Sequence, residues 1–244
     1  MNEDDNLVFL RLVKKAIRPF PTPILSQLAE QGSAPFKILI ACVLSLRTRD
    51  QVMAEASKRL FAISSDPFLM AKMQVKNIEK DIFPVAFFRI KAKQIKAISQ
   101  KICKDFHGET PGTIDALLSL PGVGRKAANL VVTIAYNMPG ICVDTHVHRI
   151  CNRWGYVFTT DPDGTEKALR EKLPRRWWIP LNGMLVAFGQ NICRPVSPRC
   201  SVCVLSQYCP KNAVFFYQLI KIVEFPEWTW FSLSSNIIDY STWT

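Results

Sequence analysis

Apolar residues recur at helical spacing along almost the whole chain. Amphipathic runs fall at about Leu7–Ile17, Ile24–Gln31, Phe36–Phe61, Pro67–Met73, Val75–Ile82, Ile90–Phe106, Thr113–Ser119, Arg125–Tyr136, Thr145–Trp154, Thr165–Leu173 and Ile179–Asn191. Between them stand breakers: Pro19 to Pro23, His107 to Gly112, Pro121 to Gly124, Pro139-Gly140 and Asp161 to Gly164. No strand alternation and no internal repeat is visible, so the pattern predicts an all-α protein. The segment Phe36 to Leu46 is nearly all apolar but interrupted by Lys37 and too short to span a bilayer, which predicts a buried core helix. In the run Ile90–Phe106, Ile90, Ile95, Ile98, Ile102 and Phe106 form the expected inner stripe. Lys93, Lys96, Lys101 and Lys104 are expected on a solvated face.

Composition narrows the class without choosing a function. At 244 residues, 48% hydrophobic and 21% charged, the chain has the balance of a folded protein with one large core or two small ones. An excess of 31 Lys plus Arg over 20 Asp plus Glu leaves +11, spread along the chain, which favours a folded basic surface and a polyanionic partner. The opening Met1-Asn2-Glu3-Asp4-Asp5 is acidic, unlike an export or transit signal, and no membrane partner is expected. A cytoplasmic, reducing setting follows, and there clustered cysteines hold metal more often than they form disulfides.

Chemistry concentrates at three places. Leu120-Pro121-Gly122-Val123-Gly124 lies between two helical runs. Its two glycines permit a tight turn and close backbone approach, and the next helix starts at once with free N–H groups at its positive end. This is a sequence-neutral phosphate site of the helix-hairpin-helix kind, with Gly122, Val123, Gly124 and Arg125 as its contacts. Lys126 follows in the first helical turn, where it serves as a phosphate ligand, a solvated charge or, as a neutral amine, a Schiff-base nucleophile. Asp144 precedes the run Thr145–Trp154 at a position suited to an N-cap. A carboxylate held there also serves to steady a cationic sugar or to accept a proton from an amine.

The third place is a cysteine cluster. Cys193, Cys200, Cys203 and Cys209 stand as Cys-x6-Cys-x2-Cys-x5-Cys within seventeen residues. Four thiolates in so short a segment point to zinc or iron–sulfur. Only Cys200 and Cys203 make the tight knuckle that zinc sites usually have in pairs, so a loop around one 4Fe-4S cluster fits the spacing better. Arg194 and Arg199 lie inside the loop, and Arg199 is a candidate DNA contact. Cys42, Cys103, Cys142 and Cys151 sit in apolar surroundings and are expected to pack.

The hairpin with Lys126, the segment Val143-Asp144-Thr145-His146 and the four-cysteine loop, in this order, resemble the endonuclease III family over about residues 7–212. The resemblance implies two helical lobes with DNA in the cleft. One is a six-helix barrel carrying the hairpin, residues 28–138; the other, residues 1–27 with 139–212, carries the iron–sulfur cluster. It implies Lys126 as the nucleophile on the sugar C1′ of a flipped-out nucleotide, Asp144 as its assisting carboxylate, and oxidised or ring-saturated pyrimidines or abasic sites in duplex DNA as the substrate of a monomeric enzyme. Arg47, in Ser45-Leu46-Arg47-Thr48-Arg49-Asp50, stands where well-known bacterial members carry a gap-filling glutamine. Phe87 or Phe88 is the expected apolar wedge from the other side. The chain also departs from the family at Ala213–Thr244, an aromatic-rich tail with Phe215, Phe216, Trp228, Trp230, Phe231 and Trp243.

Two other readings stay in view. An adenine-type mismatch glycosylase typically lacks a lysine at the Lys126 position and carries a further recognition domain. A non-catalytic helix-hairpin-helix module, or one stabilised by zinc, needs neither Lys126 nor Asp144, so lyase activity and the colour of the purified protein separate these cases.

Overall fold

A computed structural model describes residues 3–214, with side chains from Val8 onward. The described residues form helices and no strand: α1 Glu3–Ala16, α2 Ile24–Glu30, α3 Pro35–Ser45, α4 Asp50–Ile63, α5 Pro67–Lys72, α6 Val75–Ile82, α7 Phe88–Asp105, α8 Ile114–Leu118, α9 Arg125–Ala135, α10 Thr145–Arg153, α11 Pro162–Lys172 and α12 Trp178–Asn191. Short-range chemistry sets many of the starts. Asp66 accepts from Leu69 N at 2.9 Å, Asp161 from Gly164 N at 2.8 Å, and prolines open α3, α5 and α11, where a missing N–H costs nothing. None of the helices described is long and apolar enough to cross a membrane.

The buried apolar residues fall into two clusters. The first is centred on α3, which is enclosed on all sides (Phe36 and every residue from Ile38 to Leu44 are buried), and it draws in α4 to α9 and the edge of α2. The second joins the two ends of the described chain. Phe9, Leu10 and Val13 of α1 pack with residues of α10, α11, α12 and the cysteine loop. The rings of Phe9 and Trp154 lie 5.6 Å apart, and those of Trp154 and Phe188 6.4 Å apart. The first core is thus built from consecutive helices and the second from a discontinuous set. Helix α2, which the expected boundary at residues 27 and 28 divides, leans on the first core through Ile24, Leu25 and Leu28.

Two details differ from the sequence pattern. The run Phe36–Phe61 is broken between α3 and α4, because Arg47 takes a left-handed backbone (φ 53°) although no glycine or proline marks the spot. On α7 the inner stripe begins at Lys91, not Ile90. Lys91 is 4% exposed and Ile90 65%, because a spacing of four to Ile95 keeps Lys91 in phase with Ile98 and Ile102. Of the aromatic tail, residues 215–244 lie outside the described residues; Val214 is buried.

Candidate active site and cysteine loop

The hairpin forms as the two glycines require. Gly122 has φ +68°, a left-handed backbone that demands glycine, and a Cβ there would also push aside the flexible end of Gln94. Val123 is buried and fastens the turn to the first core, while Gly124 is the N-cap of α9 with open space beside it. Lys126, second in α9, is exposed, and no hydrogen bond or ion pair with a described residue engages its amine. The chain then returns along α9. Gly140 passes so close that a Cβ would sit 3.1 Å from both Asn129 Oδ1 and Thr133 Cγ2, and Cys142 Sγ reaches Lys126 O at 3.6 Å.

This return brings Asp144 to the start of α10 beside the start of α9. Its Oδ1 accepts from both His146 N and Val147 N at 2.9 Å, the residue is 8% exposed, and Oδ2 has no hydrogen bond to a described residue. Lys126 and Asp144 act electrostatically on the same two groups. One is the Cys142 thiol, which burial pushes well up; the other is the His146 imidazole, which burial pushes down. The capping role and a catalytic role for Asp144 therefore coexist: one oxygen holds the helix and the other is free. An exposed amine and a fixed, nearly buried carboxylate at two adjacent helix starts can take on a carbonyl or sugar electrophile and support the positive charge that follows.

Arg125 is drawn aside from the open hairpin. Its Nη2 pairs with Glu166 Oε1 at 3.2 Å, and Glu166, 4% exposed, also receives Arg170 at 2.8 Å; Arg170 donates in turn to Asn129 Oδ1 at 3.2 Å. The network ties α11 to the hairpin helix α9. Because both arginines retain solvent, Glu166→Gln is expected to lower stability by only about 1–2 kcal/mol, a thermal midpoint drop of a few degrees. A scanning calorimetry trace unchanged from wild type would show that the network contributes nothing to the fold.

The four cysteines of the loop line one hollow, together with Arg153, Trp154, Phe188, Ile192, Arg199 and Lys211. Cys193, Cys203 and Cys209 also pack on the second core. The surrounding charges test whether an anionic group fits. Arg153 is 7% exposed and pairs with no carboxylate among the described residues; its Nη1 donates to Cys193 Sγ at 3.5 Å and its Nη2 to Pro195 O at 2.8 Å. Arg149 donates to Cys193 O at 2.9 Å, its Nε is buried without a partner, and burial pulls it down to about 10. A buried and a half-buried guanidinium, neither ion-paired with a carboxylate among the described residues, suit a group made anionic by four thiolates. Among the described residues no three His, Cys, Asp or Glu side chains are gathered closely enough to hold a single metal ion.

The family described as HhH-GPD superfamily base excision DNA repair protein matches residues 40–175, a stretch that holds the hairpin, Lys126 and Asp144. Endonuclease III of Thermotoga maritima is 43% identical over 198 residues, covering 81% of this chain and 90% of that protein. The chain belongs to the endonuclease III family. Endonuclease III homolog 1, chloroplastic, of Arabidopsis thaliana is 43% identical over 184 residues, but the chain spans only 48% of its length. Among solved structures, a trapped endonuclease III–DNA covalent intermediate in an estranged-adenine complex superposes with a TM-score of 0.73 at 28% identity, covering 86% of this chain and 97% of that one.

The residues that the endonuclease III resemblance places at the DNA are spread over several elements. Arg47 and Phe87 are both exposed and both left-handed (φ 53° and 57°), and the Arg47 guanidinium lies 5.9 Å from the centre of the Phe87 ring. Phe88 is half-buried against the first core and edge-on to Phe83, with ring centres 5.4 Å apart, so of the two phenylalanines Phe87 is the one that projects. Arg199 is exposed at the rim of the cysteine hollow, with its backbone N bonded to Ile192 O at 2.9 Å. Sequence reasoning passed over Lys91, whose amine is buried beneath the Arg47 loop. Its position on the apolar stripe of α7 is the one signal that marks it.

Proposed function

We propose that the chain is a bifunctional DNA glycosylase and abasic-site lyase of base excision repair, acting through a lysine–sugar imine at Lys126. The observation that carries the reading is the free amine of Lys126 at the hairpin beside the capped, half-free carboxylate of Asp144. In this reading the Lys126 amine attacks C1′ of a flipped-out damaged pyrimidine nucleotide, and the C1′–N glycosidic bond breaks with its electron pair leaving on the base. The amine gives up a proton to the free Oδ2 of Asp144, the C1′–O4′ ring bond opens with its electron pair leaving on O4′, which takes up a proton, and the N–C1′ bond becomes the imine. Loss of a C2′ proton then expels the 3′ phosphate, which cuts the strand on the 3′ side of the lesion.

Residues 28–138 would form the barrel lobe, with residues 1–27 and 139–212 closing the second lobe. Gly122, Val123 and Gly124 would hold phosphate through backbone N–H groups, with Arg47 and Phe87 facing the duplex. Cys193, Cys200, Cys203 and Cys209 would hold a 4Fe-4S cluster. When bound, it fastens the loop that carries Arg194 and Arg199 and supplies no step of the reaction.

The test is a panel of duplexes, each with one defined oxidised pyrimidine, scored separately for base release and strand cleavage. Release and cleavage at the same sites support the reading. Binding without either supports the non-catalytic module, and release of undamaged adenine supports the mismatch enzyme. Asn retains capping ability, so Asp144→Asn should slow base release by roughly 10²-fold while the thermal midpoint moves little. A collapse of the fold with no separable kinetic effect would assign Asp144 to structure alone.

A further inference from the structure

The α3–α4 loop and the start of α7 are fastened by a single side chain. Lys91 Nζ donates to Leu44 O at 2.9 Å, to Thr48 Oγ1 at 3.1 Å and to Leu46 O, so all three ammonium protons are used on the last turn of α3 and the loop that carries Arg47. The backbone N of the same residue donates to Phe87 O at 3.0 Å, one helical turn back. Arg47 and Phe87 are the two residues that this arrangement brackets. Both hold left-handed backbones that bulky residues avoid unless their surroundings impose them, and the Arg47 guanidinium already lies within cation–π range of the Phe87 ring, 5.9 Å from its centre. Lys91 has no carboxylate partner among the described residues, and three neutral acceptors in a buried place are a costly setting for a charge that serves only packing.

We propose that Arg47 and Phe87 meet the duplex as one preassembled wedge, and that Lys91 is the positioning residue that holds the wedge together. This rests on the glycosylase reading above. Two side chains ordered before encounter lose less freedom on insertion than two that must be ordered on the DNA. The benefit falls on substrates that need a base flipped from an intact stack and is absent where no stack has to be opened.

The experiment compares a damaged pyrimidine in a fully paired duplex with an abasic site in single-stranded DNA. Lys91→Met keeps the stem and strands three acceptors. It should lower kcat/KM on the paired lesion by about 10-fold or more, while single-stranded cleavage changes by less than about 3-fold. Combined with Arg47→Ala, it should add little to the loss caused by Arg47→Ala alone, because both remove the same device. Equal loss on the two substrates, or losses that multiply, would overturn the proposal. If Lys91→Met does not fold, the exposed pair still decides. Arg47→Ala and Phe87→Ala must be strongly non-additive on the paired lesion, and simple multiplication of their effects overturns the preassembled wedge. Wild-type protein that cleaves neither substrate would instead remove the glycosylase reading itself.

Discussion

Lys126→Ala abolishes both the borohydride-trapped protein–DNA adduct and strand cleavage, with a loss of roughly 10³-fold or more, while duplex binding stays within a few-fold of wild type. The size follows from the role: without the amine no imine forms, and a covalent route loses far more than a contact would. Binding survives because the hairpin supplies backbone N–H groups that the substitution leaves in place. The fold survives too, since Lys126 is exposed and alanine suits the first turn of α9. Gel analysis after borohydride treatment reads the adduct directly. A variant that still traps at the wild-type rate moves the nucleophile to another amine, and one that no longer binds DNA returns Lys126 to a phosphate-gripping role.

The second large effect is on stability. Cys203→Ser removes one of the four cysteines of a loop that packs on two guanidiniums of α10, Arg153, which is buried, and Arg149, which is half-buried, neither ion-paired with a carboxylate among the described residues. Losing the proposed anionic cluster would leave those guanidiniums uncompensated, at a cost of several kcal/mol in addition to the lost metal–ligand free energy. The second core, to which Cys193, Cys203 and Cys209 contribute, should therefore unfold first. The expected result is a pale protein with its broad ~400 nm absorbance lost and hydrogen exchange accelerated in α1, α10 and α12, while α3 to α7 stay protected. Stoichiometric zinc without iron in wild-type protein prepared without oxygen would overturn the cluster assignment. Uniform exchange across both cores would overturn the local account.

The parts of the site legible in the sequence are those built from neighbours in the chain. The hairpin glycines, Lys126 at a helix start and Asp144 before a helical run are all local signals, and the cysteine spacing is local as well. What stayed hidden depends on separation. Glu166 engages Arg125 across 41 residues, so the arginine beside the hairpin looks free until the chain is folded. Lys91 reaches carbonyls 45 and 47 residues away, and among so many lysines on α7 only its helical phase sets it apart. The break at Arg47 was illegible for another reason: a left-handed arginine carries no local propensity, and the lysine beneath it enforces the turn.

The second core joins α1 to elements that begin about residue 141, with Phe9 against Trp154 and Tyr208. On a ribosome this imposes an order. Helices α3 to α9 have their partners at hand as they emerge, whereas α1 must wait for roughly 130 further residues, on the order of 6–26 s at ordinary elongation rates. Its apolar face has no permanent neighbour in that interval, and the last cysteine of the loop emerges later still. On the proposed cluster assignment, iron and sulfur can be taken up only after that cysteine has emerged, which places cluster assembly after every helix of both cores has been made.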